Sequence, residues 1–319
     1  MVKIYKCLNL IFFVGMIVIN VLANTLPLGL GNTGEISNRY PNLFTPAPIT
    51  FSIWGVIYIL LAIFIVYQFG LFGNMAVSDT VVRLVGPWFI LSCIMNICWI
   101  FTWHYDYTGL SMVFMLGLLV TLIFITSRLT SDNVIRITDM LRMPLAASIS
   151  VIAFEIYVGW ICVATIANLS ALLVKVNWNR FGMMDQFWTI VMLIIGAIIG
   201  AIFVSLRSQY MSAVAIMWAY CGVLIKHISR TGGATGLSKA ASFSDAGVIN
   251  VVGFGGAGGA GSGAVLGSAS GFGGAGGANF GGIGLAVSGY AGAYPAIMIT
   301  AALCILFLII VCIGNALTR

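Results

Sequence analysis

Charge is what this sequence has least of. Only 7% of its 319 residues are Asp, Glu, Lys or Arg, where a soluble domain carries about 25%. With 61% hydrophobic residues and a mean hydropathy of +1.10, the chain cannot coat a globule with polar side chains, so it is an integral membrane protein. Histidine is nearly missing. His104 and His227 sit near the ends of different apolar runs, and neither an HExxH nor a GxSxG motif occurs. Soluble-enzyme chemistry thus lacks its usual groups, and the chain is expected not to be an enzyme. The cysteines fall almost entirely inside apolar runs without a CxxC pair. That gives no support to a disulfide or metal framework and leaves them as small hydrophobes, so no metal and no cofactor are expected. Basic blocks are absent too. The net charge of +6 is scattered over short loops, so anionic lipid headgroups, not nucleic acid, are the expected partner.

What is present is a series of apolar runs, near 8–28, 50–72, 85–101, 109–127, 144–174, 188–206, 211–225 and 295–315. Most are long enough to cross a hydrocarbon core of about 30 Å. The expected fold is an all-α polytopic membrane helical bundle of about eight transmembrane helices. The first run follows Lys3 and Lys6 and contains Val21-Leu22-Ala23, which resembles a signal-peptidase site. Because the apolar run continues past it, a retained first span is expected. The fifth run exceeds one bilayer thickness and must tilt or begin late, near Ile152; the seventh is short. A modest excess of Lys and Arg in alternate loops predicts both termini in the cytoplasm. Residues 231–292 are built mainly of Gly, Ala and Ser and read as a low-complexity loop. Gly253-Phe254-Gly255-Gly256-Ala257-Gly258 matches GxGxxG only formally, since no strand, helix and acid surround it.

Three stripes carry aromatic and amide groups at helical spacing. Phe51, Trp54 and Tyr58 share one face, Asn96, Trp99 and Trp103 a second, and Tyr157, Trp160, Ala164 and Asn168 a third. An amide without a partner in hydrocarbon costs several kcal/mol, so Asn96 and Asn168 are expected to face the interior. There they either bond to each other or another helix as helix glue, or supply the polar edge of an aromatic-walled cavity. Glu155 is the one acid inside an apolar run. It is either an ion or proton site or an interfacial charge paired with Arg142. Trp103 to Tyr107 form an expected interfacial belt.

Pro46 with Phe51, Trp54 and Tyr58, then Asn96-Ile97-Cys98-Trp99, then Trp160 through Asn168 together resemble the TspO/MBR family, the tryptophan-rich sensory proteins related to the translocator protein. The resemblance covers roughly residues 1–175. The adjacent proline pair and tryptophan that usually open the family's second helix are missing, Pro144 lies far upstream of Trp160, and the later spans look like those of longer bacterial relatives. The implied division is a five-helix bundle over 1–175, two further spans over 176–230, the glycine-rich loop over 231–292 and a last span over 293–319. The resemblance implies a pocket for a flat hydrophobic molecule, porphyrin-like or sterol-like, capped by residues 31–48. Phe51, Trp54, Tyr58, Asn96, Trp99, Trp160 and Asn168 would line it. The expected role is a sensor or regulator in the cell membrane, as a multi-pass protein that meets membrane lipid and forms a homodimer. The alternative is a transporter or permease subunit that uses Glu155.

Overall fold

The computed structural model describes residues 1–26, 29–71, 75–131, 145–234 and 294–318. Two compact units result, Met1–Ile228 with Tyr294–Arg319, and Ser229–Ala293. The second lies almost wholly outside the described residues, as do the glycine-rich loop, Pro144 and Arg142. The helices are α1 (Val2–Thr25), the short α2 (Thr33–Asn38), α3 (Ile53–Tyr67), α4 (Met75–His104), α5 (Thr108–Ser131), α6 (Leu145–Lys175), α7 (Asp185–Arg207), α8 (Tyr210–Ala234), whose residues to Ile228 belong to the first unit, and α9 (Pro295–Leu317). A 3-10 turn at Pro48–Ser52 leads into α3. Eight of the helical segments are long and apolar enough to cross a membrane, as expected for a polytopic bundle, and no strand occurs among the described residues.

Three boundaries differ from the hydropathy reading, each for a physical reason. Helix α4 starts at Met75, well before residue 85, because Asp79 is neutralised by Lys6 of α1 at 2.7 Å. It bends at Gly86 (φ 49°, ψ −143°) just before Pro87, where a proline cannot supply the ladder N–H. Helix α6 runs unbroken from Leu145, so it does not begin late near Ile152. Helix α8 is not short. It spans 25 residues because Lys226 and His227 are paired with backbone carbonyls and need not end it.

Helices α1, α4, α5, α6 and α3 pack in that order into a ring, and α7 pairs with α9 beside it. The ring is filled by Phe64, Phe89 and Phe154, whose edge-to-face contacts at 5.3–5.8 Å join α3, α4 and α6. Helix α8 lies against α6 at close range. A Cβ on Gly159 would stand 2.3 Å from the Ser212 carbonyl oxygen, so only glycine permits this approach.

Candidate functional site

The aromatic stripes converge at the end of the ring where residues 29–50 cross it. The first turn of α3 places Trp54 at the centre. Its ring stacks on Trp99 at 6.0 Å and 25°, and meets Trp160 edge-on at 6.1 Å and 85°. Phe51 adds a second edge-on contact to Trp160 at 6.0 Å, and Trp99 continues to Trp103 at 6.2 Å and 20°. Offset and T-shaped pairs are the arrangements that ring quadrupoles favour. Because α3, α4 and α6 each contribute at least one indole, the rings wall a cavity without filling it. Residues 33–46 cover the cavity through Thr33, Ser37, Thr45 and Pro46.

Five of the residues expected from sequence line this cavity: Phe51, Trp54, Trp99, Trp160 and Asn168. Trp103, Met115 and the small residues Ala164 and Ala167 complete it. Trp103 was legible on the face it shares with Asn96 and Trp99. Met115 and the α2 residues carried no sequence signal. Asn168 exchanges hydrogen bonds with Ser111 of α5 at 3.2 Å, so it both binds a neighbouring helix and borders the cavity.

Tyr58 and Asn96 are placed elsewhere. Neither lines the cavity. Tyr58 lies one turn deeper than Trp54 and donates to Asn20 Oδ1 at 2.7 Å. Asn20 Nδ2 donates to Asn96 Oδ1 at 2.7 Å, and Asn96 Nδ2 donates to the Tyr157 hydroxyl at 3.1 Å. This chain of hydrogen bonds links α1, α3, α4 and α6 beneath Trp54. Asn96 and Asn168 do not bond each other. Asn20 was missed, although it is the same kind of amide in an apolar run as Asn96, and the same argument identifies it.

The polar groups on the cavity wall behave differently. Nε1 of Trp99 and Nε1 of Trp160 are buried and have no hydrogen-bond partner. Each orphan donor carries a desolvation penalty of about 1–3 kcal/mol. Both belong to residues that line the cavity, where an acceptor on a bound molecule could satisfy them.

Besides the bond from Trp103 Nε1 to the Thr33 carbonyl at 3.3 Å, the cover is tied down at two places. Helix α2 begins with a capping box, in which Asn32 Oδ1 accepts from the Glu35 amide and Glu35 Oε2 accepts from the Asn32 amide, both at 2.9 Å. Beyond it the Tyr40 hydroxyl donates to Asp106 in the α4–α5 turn, and Asp106 pairs with Lys175 of α6 at 3.0 Å. Burial, with the Asp106 carboxylate beside it, pushes the Tyr40 phenol up to about 12. Burial acts to raise Asp106 as well. The hydrogen bonds from Tyr40 and Lys175 and the charges of Lys175 and Arg39 act the other way, and the net direction is down. The second attachment is to α8. Trp218 Nε1 donates to the Thr50 carbonyl at 2.9 Å, and Lys226 Nζ to the Thr45 carbonyl at 2.8 Å.

Glu155 stands apart from the cavity. It is buried, and its Oε2 accepts from the Met211 amide at 3.1 Å, while the Ser212 hydroxyl donates to its backbone carbonyl at 2.9 Å. A carboxylate at the first turn of α8 meets the positive end of that helix dipole. Among the described residues no cluster of His, Cys, Asp and Glu could hold a metal ion.

Fold and site define a class: a multi-pass α-helical membrane protein with a capped aromatic cavity at one end of a five-helix ring. Residues 6–253 match the sequence profile of the TSPO-like protein family, more than half of the chain, and the protein belongs to that family. The matched stretch extends beyond the ring to include α7 and α8. No curated protein and no solved structure matches the chain.

Proposed function

We propose that this cavity binds a flat hydrophobic small molecule, porphyrin-like or sterol-like, and that the protein works as a sensor or regulator in the cell membrane without turning its ligand over. The observation that carries the proposal is the convergence of indole rings from α3, α4 and α6 on one capped cavity, two of whose lining residues, Trp99 and Trp160, keep a buried N–H without a partner. Apolar walls with a few polar groups are the usual make-up of small-molecule sites. The rings of Trp54 and Trp99 offer stacking surface, and the donors of Trp99 and Trp160 would orient an acceptor at the ligand's edge. No Lys, Arg or His lines the cavity, so the buried part of the ligand is its neutral ring system, and any acidic substituent points to the mouth.

Titration of the purified protein with protoporphyrin IX, followed by tryptophan fluorescence quenching, tests this. Trp54→Ala and Trp160→Ala should each weaken binding. Unchanged titrations for both variants would remove the assignment. The transporter alternative needs a polar path, and Glu155, its one buried acid, is engaged as the cap of α8. A proteoliposome flux assay of Glu155→Gln against the parent separates the two, since a binder shows no flux in either.

A further inference from the structure

We infer that α8 is the latch of the cavity, setting how often its cover opens. The inference rests on reading the cavity as a ligand site. Residues 43–50 form the part of the cover nearest α8. Their internal support is Asn42, whose Oδ1 accepts from the Phe44 amide at 3.1 Å and the Thr45 amide at 2.8 Å, and a turn bond from the Thr50 amide to the Ala47 carbonyl at 3.0 Å. Most of the remaining support comes from α8. His227 Nε2 bonds the Leu43 carbonyl at 3.0 Å, and Lys226 Nζ bonds the Thr45 carbonyl at 2.8 Å. The Ala47 amide donates to the Gly222 carbonyl at 3.0 Å, and Trp218 Nε1 donates to the Thr50 carbonyl at 2.9 Å.

Trp218, Gly222 and Lys226 recur every four residues, so they form one stripe along α8. That stripe runs beside the cover and bonds to its backbone at intervals. Thr45 and Pro46, which lie between these bonds, are themselves wall residues of the cavity. Gly222 is a point of close approach between α8 and the cover. A Cβ there would stand 1.9 Å from Thr50 Oγ1 and 2.8 Å from Thr50 Cβ, so any side chain must push the cover outward. Pro46 and Pro48 have no amide hydrogen, which makes Ala47 the single N–H donor of that tripeptide. Its exchange therefore reports this one attachment.

The latch is distinct from the Tyr40–Asp106–Lys175 attachment, which fastens the other end of the cover to α4, α5 and α6. The α8 end borders the cavity through Thr45 and Pro46, as α2 does through Thr33 and Ser37. A ligand that enters beneath Thr45 and Pro46 must release bonds to α8 and re-form them afterwards. A latch of this kind changes entry and exit together and leaves the wall of the site untouched. Its loss should raise the association and dissociation rates by similar factors, with little change in their ratio.

The test uses full-length protein in nanodiscs and three variants, Trp218→Phe, Lys226→Met and Gly222→Ala. The first two remove one donor each and keep most of the side chain. The third inserts a wedge. Without ligand, hydrogen exchange at Ala47 should speed up about tenfold in Gly222→Ala and a few-fold in the other two, while amides in α1 and α4 stay unchanged. Stopped-flow binding of protoporphyrin IX should then show both rates raised and the dissociation constant within about twofold of the parent. Unchanged Ala47 exchange in all three variants overturns the latch. So does a loss of affinity carried by the dissociation rate alone, because that would make α8 part of the binding wall. Faster Ala47 exchange in a protein that never binds protoporphyrin IX supports the latch and counts against the cavity as a porphyrin site.

Discussion

Two adjacent layers of the bundle handle buried polar groups in opposite ways. In the deeper layer, Asn20, Tyr58, Asn96 and Tyr157 satisfy one another across four helices. In the layer above it, separated only by the ring of Trp54, the indole donors of Trp99 and Trp160 are left without partners. The deeper network holds helices together, since a satisfied interhelical hydrogen bond contributes on average about 0.6 kcal/mol and up to about 1.7. The upper layer gives up stability. Under the proposed function, these two donors are kept for a molecule that arrives from outside. The difference distinguishes two sets of aromatic and amide side chains that the sequence pattern alone cannot sort.

This contrast can be broken from the scaffold side first. Asn96→Leu leaves Asn20 and Tyr157 each short of a partner, and about 2 kcal/mol of stability should be lost. Thermal unfolding of the purified variant measures it, and an unchanged midpoint would mean that the deeper layer is not holding the helices. Next comes the site. Trp54→Ala removes the ring on which a ligand would stack, and protoporphyrin IX affinity should fall about tenfold, an amount typical of one lost aromatic stack. A smaller effect sharpens the contrast: Trp160→Phe keeps a ring and removes the donor, and should weaken binding about threefold, the worth of one net hydrogen bond.

The smallest expected effect concerns pH and the cover. Asp106 is held below its ordinary carboxyl range, so its contribution is present above about pH 4, the unfolded value, and is lost as pH falls through its lower folded value. The Tyr40 phenol is raised to about 12, so its contribution is complete below about pH 10 and fades as pH climbs through the raised value. The attachment should therefore hold across the neutral range and loosen at both extremes. Limited proteolysis within residues 30–45 at pH 3, 7 and 11 checks this, with faster cleavage expected at both ends. Asp106→Asn should flatten the acid limb.

Much of the fold was legible because apolar runs long enough to span a bilayer leave few alternatives. The boundaries that escaped did so through distant pairing. Lys6 neutralises Asp79 across the α1–α4 interface, and nothing near Asp79 in the chain announces it. Within the site, periodicity placed Trp54, Trp99, Trp160 and Asn168 on converging faces, and they do converge. It could not give depth. Tyr58 shares the face of Trp54 but sits a turn further into the bundle, where Asn20 takes its hydroxyl proton. Glu155 showed that an acid in an apolar run can serve a helix terminus on a distant part of the chain. The α8 attachment was invisible for another reason: Trp218, Lys226 and Gly222 bond backbone atoms, which carry no side-chain pattern. Lys226 with Tyr220 and Val214 formally fits a cholesterol-type pattern, yet Tyr220 is buried and donates to the Leu193 carbonyl.

The most direct measurement removes both orphan donors at once. Trp99→Phe combined with Trp160→Phe keeps aromatic rings on the wall and deletes only the unpaired N–H groups and part of each indole. Ligand-free thermal unfolding and a protoporphyrin IX titration are then read on the same preparation. The unfolding midpoint should stay at or above that of the parent, because two unsatisfied donors are gone, while affinity falls about tenfold. A midpoint lowered as far as that of Asn96→Leu, with affinity unchanged, would show that these indoles are scaffold and that the cavity is not the site.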